Sequence, residues 1–317
     1  MLDFTLPASR LKSLRTGNLV VPEAAAIFRV EGPGALTCLQ GLLTSDLAAP
    51  GDASLSYGAL LTPKGMIVVD PWVIRETDRF TLVLDGAGHE AAAQLLKRVL
   101  PPRLARLSDL TGEWSAAVLL GTCAVDRFAR ANGCPVPAAG QVVSLPDGLA
   151  LLAAGTPQAP FSALLAGPAS ELTRRLEHAT VERADASAVA AARVLAGWPS
   201  LGREIDERTL PQEVRFDELG AVSYVKGCYT GQETVARVHF RGHVNRTLRG
   251  VRLPGGEPLA DRTLRLAGKE AGTLRTALLL EDRVIGLAIV RREIENGTTL
   301  LAGEREATLV GLPFDSA

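Results

Sequence analysis

The segment from residue 225 to 244, VKGCYTGQETVARVHFRGHV, concentrates the side chains that could do chemistry. It holds one thiol, Cys228, between two glycines, with the ammonium group of Lys226 two positions earlier. A positive charge close to a thiol favours the thiolate, which is the nucleophilic form. Glycine permits a positive φ or a close backbone approach, so Gly227 and Gly231 predict a tight loop around the thiol. We therefore expect Cys228 to be the most reactive cysteine of the chain.

A helix is expected directly after the thiol, because Thr230 and Glu233 have the spacing of a capping box. Arg237 and Arg241 then follow Glu233 at intervals of four residues on one helix face, with the acid N-terminal to the bases, which is the favourable order. Basic side chains at alternate positions between 237 and 243 would also fit a strand, and the cap favours the helix. The positive end of such a helix would further stabilise a thiolate that lies just before it.

The histidines His239 and His243 also stand four residues apart, a spacing that can place two imidazoles on one metal ion. No glutamate follows the first histidine, and no third ligand lies nearby in the sequence except Cys228. The four cysteines are widely spread and form no CxxC pair, so neither a zinc ribbon nor a disulfide framework is expected. The sequence therefore predicts no metal site.

The eight residues KGCYTGQE, 226–233, resemble the signature of the YgfZ family, which is related to the T-protein (aminomethyltransferase) of the glycine cleavage system. Three further stretches are similar to segments of the same family: LQGLLTSD at 39–46, TPKG at 62–65 and LPQ at 210–212. The resemblance therefore extends, more weakly, over most of the chain.

This resemblance implies a protein that binds tetrahydrofolate and assists the assembly or repair of iron–sulfur clusters, including those of tRNA-modifying enzymes. The Cys228 thiol would carry a transient sulfur, iron or redox intermediate, and the sequence does not choose among the three. A folate needs hydrogen-bond partners for its pterin, an apolar slot for its aromatic ring and positive charge for its glutamate tail. We expect these from the residues Lys226, Tyr229, Gln232, Glu233, Arg237 and Asp46, with Arg241 ranked after Lys226 and Arg237 for the tail.

Two departures from the T-protein pattern argue against aminomethyl transfer. The T-protein signature carries Asp where this chain has Cys228, and the catalytic Asp of T-protein follows a Gly-Gly turn that is Lys64-Gly65 here. The aligned position falls on Val68, which can neither orient an amine nor relay a proton. Asp70 lies on the same face of the expected strand and is left open as a substitute. Because the expected cleft is basic and lacks an acid, a one-carbon transferase is the alternative function, and a scaffold that senses folate is a third.

Composition and charge limit the class of protein. Of the 317 residues, 47% are hydrophobic and 22% charged, which is typical of a globular chain of two or three domains. The formal net charge of -1 argues against wholesale binding to nucleic acid or membranes. No apolar run approaches the length of a membrane span, and the start lacks the apolar core of a signal peptide. These features predict a cytoplasmic protein, and the family resemblance implies folate and iron–sulfur client proteins as its partners.

The elements that must position the thiol follow from hydrophobic periodicity and turn residues. Strands at 25–30, 54–61, 66–75 and 79–84, with helices before residue 43 and at 89–100, predict a first α+β unit. A similar pattern recurs between 115 and 196. An irregular stretch that opens at Gly197-Trp198-Pro199 then runs to the thiol, and such stretches are usually functional. Short strands after residue 245, separated by turn residues at 254–256, 281–282 and 296–297, predict a small barrel.

We therefore predict an α+β fold in three parts. Residues 1–112 form a first α+β unit, residues 113–244 form a second unit that carries the KGCYTGQE signature, and residues 245–317 form a C-terminal antiparallel β-barrel. The two related units would pack around a central folate cleft.

Overall fold

The computed structural model of the chain describes residues 4–146, 150–255, 259–280 and 283–314. The predicted turn residues at 256 and 281–282 lie outside these ranges. No helix in the described ranges is long and apolar enough to cross a membrane.

The described residues form seven α-helices, which we number α1 (Ala8–Thr16), α2 (Ala35–Gln40), α3 (His89–Val99), α4 (Thr122–Ala131), α5 (Ala169–Ala179), α6 (Ala186–Ala196) and α7 (Gln232–Arg241). They also form twenty strands: β1 (Phe4–Leu6), β2 (Leu19–Glu23), β3 (Ala25–Glu31), β4 (Ser54–Tyr57), β5 (Leu60–Leu61), β6 (Ile67–Val69), β7 (Trp72–Glu76), β8 (Arg79–Asp85), β9 (Arg106–Asp109), β10 (Trp114–Leu120), β11 (Val142–Ser144), β12 (Leu151–Ala154), β13 (Ala163–Pro168), β14 (Glu182–Arg183), β15 (Arg246–Pro254), β16 (Thr263–Leu266), β17 (Lys269–Leu280), β18 (Arg283–Arg291), β19 (Thr299–Ala302) and β20 (Arg305–Val310).

The first sheet has the strand order β4-β7-β8-β3-β9 and is antiparallel. Successive side chains of a strand point to opposite faces of its sheet, and β3 is built on that alternation. Phe28 and Val30 pack into a buried cluster with residues of α2 and α3, while Ile27 points into a second cluster at the centre of the molecule. The helices therefore cover one face of the sheet, and the other face belongs to the central core.

The second sheet, β11-β12-β13-β10-β2-β14, repeats this design. On β10, Ala117 and Leu119 pack in a cluster with α4 and α5, whereas Ala116, Val118 and Leu120 face the central core. The central core also takes in Leu278 and Leu287 of the last strands, so it touches all three parts of the molecule. The predicted α+β fold with two related units is confirmed.

The C-terminal strands close into a barrel through the order β17-β16-β19-β20-β15-β18, with β18 pairing back onto β17. All six pairings are antiparallel, which confirms the predicted barrel.

The first residues of the chain do not follow the predicted order of parts. Strand β1 adds to β17 of the barrel in parallel, and β2 pairs with β10 of the second sheet. The division at residues 112 and 244 stays a prediction. The segments before residue 24, however, pair with strands of the barrel and of the second sheet rather than with the first sheet.

Two strands that periodicity predicts as continuous are each broken. The first is interrupted between β4 and β5 at Gly58, and the second between β6 and β7 at Asp70 and Pro71. Proline has no N–H for a ladder hydrogen bond. A Cβ on Gly58 would lie 2.4 Å from Oγ of Ser45, so only glycine fits there. The hairpin β5–β6 thus leaves the first sheet as a separate two-stranded piece.

Candidate functional site

Lys226 is anchored inside the protein by backbone oxygens. Its Nζ donates to the carbonyl oxygens of Leu43 and Ser45 at 2.7 and 2.8 Å, and to Oε1 of Gln40 at 3.3 Å. Burial lowers the pKa of its ammonium to about 8, and the nearby Asp46 carboxylate opposes that shift. An ammonium has three protons to donate, and three oxygens receive them. The geometry therefore gives Lys226 the role of tying the signature loop to the end of α2.

Asp46 supports the same junction. Its Oδ1 accepts hydrogen bonds from the backbone N–H groups of Ala48 and Ala49 and from Nε2 of Gln40. These hydrogen bonds hold the pKa of the carboxyl below its usual value although desolvation acts in the opposite direction. Because Oδ1 accepts these three hydrogen bonds, Asp46 stabilises the turn after α2, which is a structural role.

Cys228 is exposed, as is Cys123 on α4, whereas Cys38 and Cys134 are half-buried. The loop that carries it is open: a Cβ on Gly227 would meet no atom within 4 Å, and Gly227 has no positive φ. Gly227 therefore uses neither a positive φ nor a close contact with the rest of the protein, and a close approach to a ligand stays a prediction. The thiol is accessible to a partner from outside.

The helix after the thiol begins one residue later than predicted and without a capping box. The N-cap of α7 is Gly231, with φ 81°, and no side chain caps it. A Cβ there would lie 2.7 Å from the carbonyl oxygen of Thr62 and 3.0 Å from Cα of Gly65. Close contact with the β5–β6 turn, rather than the Thr230 hydroxyl, fixes the start of the helix.

Two tyrosines flank this loop in different ways. Tyr229 is buried, its hydroxyl has no hydrogen-bond partner in the described residues, and burial raises its pKa to about 12. Tyr224 donates its hydroxyl proton to Asp217 at 2.5 Å and stacks on the His239 ring, with 3.7 Å between ring centroids. Gln212 donates to the same hydroxyl. The segment around 224 and the last turn of α7 are therefore held together by polar and ring contacts.

A cavity lies at the centre of the molecule, between the two sheets, α6 and the barrel. Its outer chamber has a volume of about 270 Å³, and Phe4, Arg203 and Leu287 are among the residues that line it. An inner chamber of about 40 Å³ continues towards Tyr57 and Asp70. The two chambers share a set of lining residues, which are Glu23, Asp85, Val189, Arg193 and Trp198.

Aromatic rings form one wall of the inner chamber. Trp72 and Trp198 stack with their planes 16° apart and their centroids separated by 5.2 Å. Tyr57 packs against both rings, at 4.9 and 4.6 Å, and Phe161 meets Trp72 edge-on. Such a wall is suited to the face of a flat heterocycle.

Carboxylates face this wall. The hydroxyl of Tyr57 donates to Oδ2 of Asp70 at 2.7 Å. Desolvation raises the pKa of Asp70 to about 6, against the hydrogen bond from Tyr57 and the charge of Arg193. Burial also raises the pKa of Glu23, and Asp85 adds a like charge to both groups. Three carboxylates therefore line this cavity, which differs from the basic cleft without an acid that the sequence predicts.

Arg193 is the cation of the cavity that both chambers share. Its Nη1 donates to Oγ of Ser200 at 2.8 Å, while its buried Nε has no hydrogen-bond partner in the described residues. An unpaired buried donor is costly unless a ligand or water satisfies it. The cavity therefore combines carboxylates, an arginine with a free donor and a flat aromatic wall.

The structure separates the predicted site residues from this cavity. The residues Asp46, Lys226, Tyr229, Gln232, Glu233 and Arg237 do not line either chamber. Val68 packs against the outer cluster under α2 and α3, whereas Asp70 lines the cavity. The two residues do not share a strand face, because β6 ends at Val69.

Arg193 and Glu23 are not among the site residues predicted from the sequence. A signal for Arg193 was present, because it is the single charged residue of α6, ASAVAAARVLA. An isolated charge in an apolar helix indicates a position with a specific polar partner. Trp198 lies in the irregular stretch that the sequence marked as functional. Nothing around Glu23 distinguishes it in the sequence.

Comparison with known proteins places this geometry in a family. Residues 23–133 match the GCVT N-terminal domain. The chain is 28% identical to the tRNA-modifying protein YgfZ of Cronobacter sakazakii, with 89% of this chain and 87% of that protein covered. It is 30% identical to an aminomethyltransferase of Rubrobacter xylanophilus, over 89% of this chain and 79% of that one.

Among solved structures, the fold is similar to the glycine cleavage system aminomethyltransferase T of Bartonella henselae. The TM-score is 0.82 at 21% identity, and the match covers 98% of this chain and 91% of that one. The family predicted from KGCYTGQE is confirmed by these matches. The chain belongs to the YgfZ family, which is related to the aminomethyltransferase of the glycine cleavage system.

Proposed function

We propose that this protein binds a reduced folate in the central cavity and uses Cys228 to assist the assembly or repair of iron–sulfur clusters, including those of tRNA-modifying enzymes. The central cavity supports the folate part, because it combines an aromatic wall, three carboxylates and an arginine with an unpaired donor. The second part rests on the family resemblance and on relatives named tRNA-modifying protein YgfZ.

In this proposal the residues of the cavity share the work of holding tetrahydrofolate. The ring of Trp198 offers a surface for the pterin in the outer chamber, and the carboxylates of Glu23 and Asp85 can accept its N–H groups. Arg193 supplies the positive charge for a carboxylate of the tail. The outer chamber lies near the lower limit of small-molecule sites, about 300 Å³, so it suits the bicyclic head better than the whole ligand.

The thiol works at a separate place. Cys228 does not line the cavity and is exposed, so it meets an external protein rather than the folate ring. All four cysteines of the chain are free, which agrees with a reducing cytoplasm.

Calorimetric titration with tetrahydrofolate tests the location of the folate site. Arg193→Gln should weaken binding about 10-fold or more, since a hydrogen bond to a charged group contributes about 1.5–3 kcal/mol. Arg237→Gln removes an arginine of the signature helix and is the matched control, for which we expect unchanged affinity. The reverse pattern would return the folate site to the signature loop.

A complementation experiment tests the thiol. Cells that lack the protein should lose iron–sulfur enzyme activity, and Cys228→Ser should fail to restore it although its folate affinity is normal. Cys123→Ser, which removes the other exposed thiol, should restore activity fully. Full rescue by Cys228→Ser would refute a role for this thiol.

The acids of the cavity favour a second candidate, a folate-dependent one-carbon transferase of T-protein type. Asp70 has a raised pKa and lines the inner chamber of the cavity, and general acid–base catalysis uses an acid with such a pKa close to its substrate. An assay with an aminomethyl-loaded lipoyl carrier protein decides between the two functions. Turnover that Asp70→Ala abolishes would establish the transferase, and no turnover by the wild-type protein would leave the first proposal.

A further inference from the structure

The outer face of α7 carries an aromatic ring beside two arginines. Val235 is the buried residue of this helix, and Phe240, with 66% of its surface exposed, lies on the opposite side. Arg237 lies three residues before Phe240 and shares its helix face, whereas Arg241 is four residues after Arg237 and lies about 100° around the helix from the ring. We call these three residues the α7 stripe.

The ring of Phe240 contacts other rings on one side and is exposed on the other. It meets the rings of Tyr224 and His239 edge-on, with centroids 5.8 and 4.7 Å away. The neighbour of Tyr224 in the chain, Val225, is 94% exposed. Contacts on one side fix the orientation of the ring, while its exposed surface is free to stack on a planar group.

The positive charges of the stripe are not neutralised inside the protein. In the described part of the chain, neither Arg237 nor Arg241 makes an ion pair. Lys64 adds a third cation: it is exposed in the turn that contacts the start of α7 through Gly65. Glu233 is the acid on the same face, whereas Asp217 is engaged by Tyr224 and lies 3.5 Å from His239.

We infer that the α7 stripe binds single-stranded RNA. Phosphates would lie against Lys64, Arg237 and Arg241, and an unstacked base would lie on Phe240, which is the pairing of groups that single-strand binding surfaces use. The net charge of -1 excludes an extended footprint, so the contact covers a few nucleotides. A protein partner is less well matched, because one ring and one valine fall short of the roughly 800 Å² per partner of a stable protein interface.

Fluorescence anisotropy with a labelled 12-nucleotide oligouridylate tests this inference, with a 12-base-pair RNA duplex as the comparison. The single strand should bind more tightly than the duplex. Phe240→Ala should weaken single-strand binding about 5- to 150-fold, the range for loss of one stacked base, and Phe240→Trp should retain it. With three phosphate contacts the logarithm of the affinity should fall by about 2 per tenfold rise in salt.

Two variants elsewhere are matched controls. Leu301→Ala removes an exposed apolar side chain of the barrel, and Arg130→Gln removes an exposed arginine of α4; both should bind RNA like the wild type. No binding at 50 mM salt with protein at 100 μM, or equal losses in stripe and control variants, would overturn the inference. Unchanged RNA binding by Phe240→Ala, together with lost binding to a purified iron–sulfur enzyme, would assign the stripe to a protein partner. RNA binding should persist in Arg193→Gln, so this test does not depend on the folate proposal.

Discussion

Lys226 shows how one residue type can serve a role other than the one that its sequence context indicates. Its position next to a glycine and two residues before a thiol predicts a positive charge that binds an anionic ligand or stabilises a thiolate. In the structure the ammonium donates its hydrogen bonds to oxygens of Gln40, Leu43 and Ser45. These three residues lie at the end of α2 and directly after it. Carbonyls at the end of a helix region need donors, and a lysine from a distant segment supplies them.

Lys226→Met should therefore lower stability before it affects any ligand. Loss of these hydrogen bonds should reduce the free energy of unfolding by about 1–3 kcal/mol, measured by urea denaturation. Lys97→Met, which alters an exposed lysine of α3, is the control and should change little. An unchanged stability with weaker binding of polyglutamyl folate would instead support the tail-binding role.

Asp70 is the titrating group that the cavity creates. Its pKa in the folded protein, about 6, lies above the value near 3.9 of an unfolded chain. The folded state therefore holds the proton more tightly, so this group lowers stability as pH rises from about 4 to 6, and the full cost is present above 6.

Asp70→Asn should remove that cost while keeping an acceptor for the Tyr57 hydroxyl. We expect the variant to be more stable than the wild type by about 1–3 kcal/mol at pH 7.5 and equal to it at pH 4, in urea denaturation at both values. Asp78→Asn, at an exposed turn, should give no such dependence. A difference in unfolding free energy between variant and wild type that is the same at both pH values would contradict a raised pKa of Asp70.

At the scale of elements, the start of α7 is decided by a contact between two loops. Gly231 combines a positive φ with a backbone oxygen 2.7 Å from where its Cβ would be, whereas Gly227 has neither constraint. The hairpin β5–β6 can approach the signature loop only because both sides of the contact, Gly231 and Gly65, lack side chains.

The pair of glycines provides a matched comparison. Gly231→Ala should cost about 2 kcal/mol or more in unfolding free energy, through backbone strain and displacement of the Thr62 carbonyl. Gly227→Ala should be close to neutral. Guanidinium denaturation of the two variants measures both, and equal losses would show that the contact does not hold the helix start.

At the scale of the whole molecule, the first strand joins the two ends of the chain. Phe4 and Leu6 of β1 lie beside Leu278 and Leu280 of β17, and Leu6 is buried in the central core. The Arg203 guanidinium lies over the Phe4 ring at 4.8 Å, at the mouth of the cavity. One short strand thus closes the barrel edge and shapes the cavity entrance.

Deletion of residues 1–6 should open that edge. We expect faster amide hydrogen exchange in the segment 278–280, because β17 loses a partner strand there, together with a lower midpoint of thermal unfolding. Amides of β19, on the far side of the barrel, should keep their protection. Unchanged exchange at 278–280 would show that β1 contributes nothing to the barrel.

The sequence by itself determined the class of the fold and the family. Alternating apolar residues in β3 and β10 and turn residues between the last strands are local features, because side-chain alternation and turn chemistry depend on neighbours in the chain. The eight consecutive residues KGCYTGQE are also a local feature, and they are specific for the family. The same patterns placed β3, β8 and α3 within a residue or two of their observed bounds.

Only the tertiary structure decided where a ligand can lie. The cavity brings together Glu23 of β2, Asp85 of β8, Arg193 of α6 and Asp70 from the break between β6 and β7, which are far apart in the chain. Strand β1 pairs with the barrel, and β2, which ends at Glu23, pairs with the second sheet. Local periodicity does not predict these pairings, and the second of them brings Glu23 to the cavity. Burial and electrostatic neighbours set the pKa of a carboxyl and the partner of a lysine, and both are properties of packing between distant segments.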